Sequence, residues 1–281
     1  MPETDCLARP CPDAPVHTIG PAHTIGPVHT FGEERQRRIA TIGTLAAPLA
    51  GTSSQGAWEN YKPLLLTLAE RHRLTRVMEI GGGRTPLLSA GEVASHGMTY
   101  TVNDISHREL SLAPPWTEKA HFDITGPLPD GCRGTCDLLF SNMVLEHVPS
   151  GEAYYRNIFA LLKQGGVSLT FYPTLYSPPF VINRLLPETM SRRLLTWFFE
   201  DRTGDGVPKF PARYSWCHAT RRAEERIRRI GFSHVRMVPF YGHGYFEKIP
   251  VVRGIDGALH RAAQRFQIRA LASYAFCIAV K

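Results

Sequence analysis

The chain has 281 residues, 43% of them hydrophobic, with a formal charge of +7 and six cysteines. This is enough apolar material for one sizeable core, or one core with a cap, and no apolar run reaches the ~18 residues that a membrane-spanning helix needs. The N-terminus is polar and Pro-rich without a signal-peptide core, and the scattered cysteines include one close central pair, Cys132 and Cys136, with no second pair at zinc-ligand spacing; a soluble cytoplasmic protein with reduced thiols is expected.

Residues 1–32 carry an imperfect repeat, His17-Thr-Ile-Gly-Pro, His23-Thr-Ile-Gly-Pro, His29-Thr-Phe-Gly. Proline and glycine at this density defeat both helix and strand, which predicts a disordered tail over 1–32 ahead of a folded domain over 33–281. No acid or thiol joins the three imidazoles, so no metal is expected. From Glu33 the pattern becomes helical: Glu33–Leu49 and Trp58–His72 read as two helices around a Gly- and Ser-containing spacer. Tyr61, Leu64, Leu65 and Leu68 give the second helix an apolar stripe that should pack on a sheet.

Val77–Pro86 reads as a buried strand that breaks into three consecutive glycines. Glycine serves two needs there, a sharp exit from the sheet and a closer approach of backbone to ligand than a Cβ allows. A Walker loop would need Gly-Lys-Ser/Thr, whereas Arg84-Thr85-Pro86 follows; a dinucleotide fingerprint would need glycine where Pro86 stands. What remains is Glu79-x-Gly81-x-Gly83, which resembles motif I of the class I S-adenosylmethionine-dependent methyltransferases, with Thr85 where many members have a third glycine. The resemblance implies that Glu79 helps to hold the methionine end of the cofactor and that Gly81, Gly82 and Gly83 approach it. It also implies that the helices ahead of the first strand cover the pocket. Trp58 and Tyr61 then become substrate-site candidates, with a core role as the alternative.

Leu87–Gly97 reads as a helix and Met98–Val102 as a second strand, ending at Asn103-Asp104. An acid there suits a ribose, since one carboxylate accepts from two vicinal hydroxyls, and its distance from the glycines is near the ~20 residues of a strand-helix-strand unit. Asp104 and Ile105 are therefore cofactor candidates. A third strand stops at Asp123; by the same resemblance Asp123 accepts from the adenine amino group and Ile124 packs on the ring, while a turn-initiating Asp before Gly-Pro is the alternative.

Cys136–Pro149 opens as an apolar strand and continues Ser141-Asn142-Met143-Val144-Leu145-Glu146-His147-Val148. It is similar to the Leu-Glu-His-Val segment of small-molecule methyltransferases related to ubiquinone and menaquinone biosynthesis. Ligands of such sheets sit beyond the carboxyl ends of the strands, which puts Asn142 and Met143 beside the cofactor and His147 near the transferable methyl. An imidazole titrates near neutrality and could take a proton from the acceptor; capping the next helix is the competing role of His147. Gly151–Leu162 reads as a helix, and the pair Gly165-Gly166 as its stop ahead of a fifth strand. The resemblance covers residues 75–172 closely and the tail of the chain loosely.

Residues 173–217 are too long for an ordinary connection and rich in aromatics and arginines. They read as a substrate cap, with Leu194–Phe199 as a helix, or as aromatics packed into a private core or a homodimer interface. Tyr172, Tyr176, Arg213, Trp216 and Tyr241 are taken as acceptor-site candidates, and His243, just past the sixth strand, as a rival base to His147, with a plain surface-loop histidine as the favoured alternative. A helix over Ala219–Ile230 and strands over Gly231–Val238 and Tyr274–Val280 close the chain. Acids interleave the Arg221–Arg229 run, so a solvated helix face is favoured over a nucleic-acid contact.

The expected fold is α/β, a Rossmann-like, doubly wound seven-stranded sheet with N-terminal helices and an aromatic-rich cap after strand five, its last strand antiparallel by family resemblance. The implied reaction is methyl transfer from S-adenosylmethionine to an oxygen, nitrogen or carbon of a small, partly apolar acceptor, with no specific nucleic-acid partner. An RNA-directed methyltransferase and a cofactor-binding homologue without methyl transfer are the alternatives.

Overall fold

The computed structural model describes residues 31–185, 210–246 and 249–281. The repeat at 17–30, the predicted helix Leu194–Phe199 and the arginines Arg192 and Arg193 lie outside the described residues.

Two helices open the described chain, α1 (Phe31–Ala46) and α2 (Ser54–His72). Ser53 caps α2 by accepting from the Gly56 N–H at 3.2 Å, so the helix takes up part of the predicted spacer and begins ahead of Trp58. Next come β1 (Arg76–Ile80), α3 (Ala90–Ser95), β2 (Thr99–Asp104), α4 (His107–Ser111), β3 (Glu118–His121), β4 (Cys136–Asn142), α5 (Gly151–Leu161), β5 (Leu162–Pro173) and α6 (Pro178–Leu185). The chain closes with α7 (Arg221–Arg228), β6 (His234–Phe240), α8 (Pro250–Arg265), a 3-10 turn at Arg269–Leu271 and β7 (Tyr274–Val280).

The seven strands form one sheet in the order β3-β2-β1-β4-β5-β7-β6. Neighbours from β3 to β5 run parallel, and β7 inserts antiparallel between β5 and β6, as expected. Because the order reverses between β1 and β4, the helices that follow them diverge and leave a crevice at the strands' carboxyl ends. β7 is buried along its whole length, which requires layers on both faces of the sheet.

Tyr61 decides how α2 sits on this sheet. Its ring is buried against Phe171 and Phe276, and its hydroxyl donates to the carbonyls of Ser141 (2.6 Å) and Leu169 (3.1 Å). It is a strut between helix and sheet, which is the core role and not the substrate-site one.

One sequence expectation is corrected and one element was not foreseen. Gly165-Gly166 does not stop a helix, because α5 already ends at Leu161. The register jumps from Cys136↔Leu162 to Leu138↔Val167, so the glycines form a bulge in β5, with Gly165 at φ +74°. α8 stands where no element was expected, although Val251, Ile255 and Leu259 give it an apolar stripe at helical spacing. It buries Asp256, His260 and Ala263 and exposes Val251, Ile255 and Leu259, the reverse of the usual pattern. Among the described residues no helix is long and apolar enough to cross a membrane.

Candidate active site

The site begins at the turn after β1. The N–H groups of Gly81 and Gly82 both donate to the carbonyl of Asn103 (2.8 and 3.1 Å), which swings the chain off β1 and across the end of β2. Gly81 and Gly83 take φ of +76° and +48°, conformations that L side chains seldom adopt. Space is equally restrictive: a Cβ on Gly81 would stand 2.5 Å from Val144, and one on Gly82 would stand 2.8 Å from the carboxyl carbon of Glu79.

Glu79 lies beneath this turn and does not reach the cavity wall. Its carboxylate accepts from the Leu87 N–H at 3.0 Å and from the Tyr100 hydroxyl, and burial raises its pKa to about 7. From the other side, Arg84 forms a two-pronged pair with Glu109 of α4, Nε to Oε2 and Nη2 to Oε1, both at 2.6 Å. The glycines are thus clamped from below and from the flank.

Above them opens a cavity of about 370 Å³ at the carboxyl ends of β1, β2 and β4. The structure brings Gly81, Gly82, Gly83, Asp104, Ile105, Asp123, Ile124, Asn142, Met143 and His147 together on its wall. Asp104 closes β2; its Oδ1 accepts from the Ser106 N–H at 2.8 Å, and partial burial raises its pKa. The Oδ1 of Asp123 accepts from the N–H and the hydroxyl of Thr125, both at 2.8 Å, so the residue initiates a turn and also stands on the cavity wall. Ile105, Phe122 and Ile124 supply an apolar wall between the two acids.

At the end of β4, Asn142 Oδ1 is buried without a hydrogen-bond partner, and Met143 holds φ +56°. An orphaned carbonyl oxygen and a strained non-glycine residue side by side are features that concentrate where a ligand completes the structure. The Met143 N–H is fixed to the Phe171 carbonyl at 2.9 Å, so β5 imposes the strain.

His147 comes one turn later. Its Nδ1 lies 3.4 Å from the carbonyl of Pro211, an acceptor, so that contact assigns the proton to Nδ1 and leaves Nε2 with its lone pair. Burial lowers the imidazole pKa, which keeps it neutral at pH 7. Beside it, Glu146 is buried with Oε2 unpartnered, and burial pushes its carboxyl up to about 8. The Glu146 carbonyl accepts the N–H groups of Arg213 (2.6 Å) and Tyr214 (2.9 Å), and the Gly151 N–H donates to Ser215 Oγ at 2.8 Å. These bonds dock the segment before α7 and set Phe210 on the cavity wall, its ring 6.2 Å from His147.

None of the remaining candidates lines this cavity. Tyr172 is fully buried, its hydroxyl donating to the His218 carbonyl at 2.9 Å. Tyr176 is exposed and stacks on His218, and Trp216 lies under Arg226 at 5.1 Å. Arg213 enters through its backbone, and Tyr241 is buried next to Ser53. Trp58 is half-exposed with its ring 4.8 Å from Phe171, on the strand adjoining Met143. His243 packs instead against Asp256 and His260 of α8. Sequence reading missed Arg84, Glu109 and Phe210; Arg84 adjoins the glycines and could have been found, whereas nothing in the pattern marks Phe210.

The residues fit a nucleoside carrying a cationic amino-acid tail: one acid at the end of β2, a second beside an apolar slot, and a backbone turn that excludes any Cβ. Sheet order, antiparallel last strand and glycine turn together give the Rossmann-like architecture of the class I methyltransferase fold. The chain belongs to the methyltransferase domain family, whose sequence profile matches residues 31–224. No curated protein sequence matches it. Solved structures of similar fold include phosphoethanolamine N-methyltransferase 2 of Haemonchus contortus in complex with S-adenosyl-L-methionine, at 16% identity and TM-score 0.45, over 76% of this chain and 51% of that one. The chain therefore spans about half the length of that protein. A SAM-dependent methyltransferase from Archaeoglobus fulgidus is similar at 16% identity and TM-score 0.45, over 82% of this chain and 100% of that one. These likenesses concern the fold alone.

Proposed function

We propose that this chain transfers the methyl group of S-adenosylmethionine to an oxygen, nitrogen or carbon of a small, partly apolar acceptor such as a secondary metabolite, lipid or quinone-like ring. The observation that carries the reading is the meeting of the clamped triple-glycine turn and Asp104 on one cavity wall. In this reading residues 33–281 act as one catalytic domain in the cytoplasm, in keeping with four free cysteines among the described residues, and 173–217 serve as its cap.

Bound in this cavity, the cofactor supplies a sulfonium methyl that already carries its leaving group. Asp104 would hold the ribose hydroxyls, Asp123 would accept from the adenine amino group, and Ile105 and Ile124 would give the ring an apolar surface. Asn142 Oδ1 accepts from the ammonium of the methionyl end, and Glu79 acts from beneath by fixing the turn. His147 and Phe210 wall the acceptor end, where Phe210 excludes water and the Nε2 lone pair takes the acceptor's proton as it attacks. Alignment supplies most of the acceleration and proton transfer the remainder.

An RNA-directed reading has less support, because acids interleave the basic run and two of its five arginines are engaged. Arg226 lies over Trp216, Arg228 donates to the Val235 carbonyl, and Glu224 pairs with Arg269. The test is incubation of the protein and labelled methyl donor with a panel of phenols, amines and lipids, and with RNA. Label in a small molecule is expected; label in RNA alone would overturn the acceptor class. Donor binding without any methylated product would leave a binding homologue.

A further inference from the structure

Beyond residue 224, where the family match ends, a second polar cluster lies away from the cofactor cavity. His243 comes after β6, and Asp256 and His260 stand one turn apart on the inward side of α8. His243 Nε2 is 3.3 Å from Asp256 Oδ2, and His260 Nε2 is 3.3 Å from Asp256 Oδ1. One ligand atom from each residue lies within 4.8 Å of the others, and the two rings meet edge-on at 4.9 Å. His243 Nδ1 accepts from the Tyr245 N–H at 3.3 Å, whereas His243 Nε2, His260 Nε2 and Asp256 Oδ1 are buried without a well-aligned hydrogen bond, their only near neighbours being one another.

Three unpaired polar atoms facing one another inside a protein are destabilising unless something sits between them. Donors about 2.0–2.2 Å from a tetrahedral ion stand about 3.3–3.5 Å from each other; here each ring nitrogen is 3.3 Å from its own oxygen of Asp256 in a cluster spanning no more than 4.8 Å, so an ion would draw the two rings in by a small movement. Two imidazoles and a carboxylate suit zinc-like ions and not magnesium or calcium, which take all-oxygen shells. The reversed pattern of α8 fits the same account. A helix that buries only Asp256, His260 and Ala263 has little apolar anchorage, and an ion would tie it to the loop after β6.

We propose that His243, Asp256 and His260 bind one divalent transition-metal ion of the zinc class, clamping α8 to the end of β6. Sequence reading expected no metal and took His243 as a rival base or a surface-loop residue; the ligand set was hidden because it is split between a loop and a helix whose pattern is reversed.

The test uses the full chain, stripped with chelator and titrated with Zn²⁺ and with Co²⁺. One tight equivalent is expected, with a Co²⁺ visible spectrum free of thiolate charge transfer and a rise in melting temperature on Zn²⁺ addition. Affinity should fall by ~100-fold or more in Asp256→Asn and in His260→Gln, which keep side-chain size and are checked for folding by circular dichroism. A variant with His17, His23 and His29 all changed to Gln should bind as the wild type does. No stoichiometric binding, binding that tracks the tail histidines, a thiolate band, or affinity unchanged in both cluster variants would each overturn the proposal.

Discussion

The carboxyl group of Glu79 fills the space where a Gly82 side chain would be: a Cβ on Gly82 would stand 2.8 Å from the Glu79 carboxyl carbon and 2.9 Å from Val102. The acid of the motif and its middle glycine are therefore one packed unit. Gly82→Ala must displace either Glu79, held by Leu87 and Tyr100, or the turn itself, an overpacking cost of about 1–3 kcal/mol. The variant should melt lower and bind S-adenosylhomocysteine at least ~10-fold more weakly by calorimetry. Unchanged affinity would mean that the turn does not contact the ligand.

Glu79 and Glu146 give the protein a defined pH dependence. Their folded-state pKa values, about 7 and about 8, lie above the ordinary 4.5, so the native state holds protons that the unfolded chain has released. Their contribution is fully present below about pH 4.5 and is lost as pH rises through about 7–8. Glu146→Gln keeps the neutral form at every pH. Relative to the wild type it should gain melting temperature steadily from about pH 5 to about pH 8.5. A difference that stays constant across that range would place the Glu146 carboxyl near its ordinary value.

The pair Arg84–Glu109 holds the flank of the glycine turn, with Glu109 buried and Arg84 partly exposed. Arg84→Gln and Glu109→Gln should each weaken cofactor binding severalfold, and the double variant should lose no more than either single one. Additive losses would show that the two residues act separately.

His147→Asn separates catalysis from binding. With its proton on Nδ1 and a pKa below the usual histidine value, the imidazole is ready to accept a proton at pH 7. The variant should lose ~100-fold or more in methyl transfer while binding S-adenosylhomocysteine like the wild type. The wild-type rate should fall only at acid pH, where Nε2 becomes protonated, and that acid limb should vanish in the variant. Equal losses in rate and cofactor affinity would make His147 a wall residue only.

The cavity wall at the ends of β1 and β2 was legible in the sequence because each of its residues is dictated locally. A strand must end in glycine to let backbone approach a ligand, as at Gly81–Gly83, and an acid ending the next strand, Asp104, falls at a spacing fixed by one helix. The sheet, including antiparallel β7, came from the same periodicity and family resemblance. Glu79 was found for its type but not its place, since strand alternation does not say which buried face lies under a turn. The acceptor side was not legible. Tyr61 and Tyr172 are aromatic for packing, their hydroxyls bound to carbonyls, and composition alone cannot separate that use from ligand stacking. α8 was within reach of the sequence through the stripe Val251, Ile255, Leu259, but hydropathy would have buried the wrong face, since Asp256 and His260 point inward with Ala263.

Calorimetric titration of S-adenosylhomocysteine into the wild type and into Asp104→Ala tests the central claim most directly. The account predicts stoichiometric binding to the wild type and a roughly 10–100-fold loss in the variant, the scale of hydrogen bonds to a charged acceptor. No binding to the folded wild type, or equal affinity in the two proteins, would contradict it.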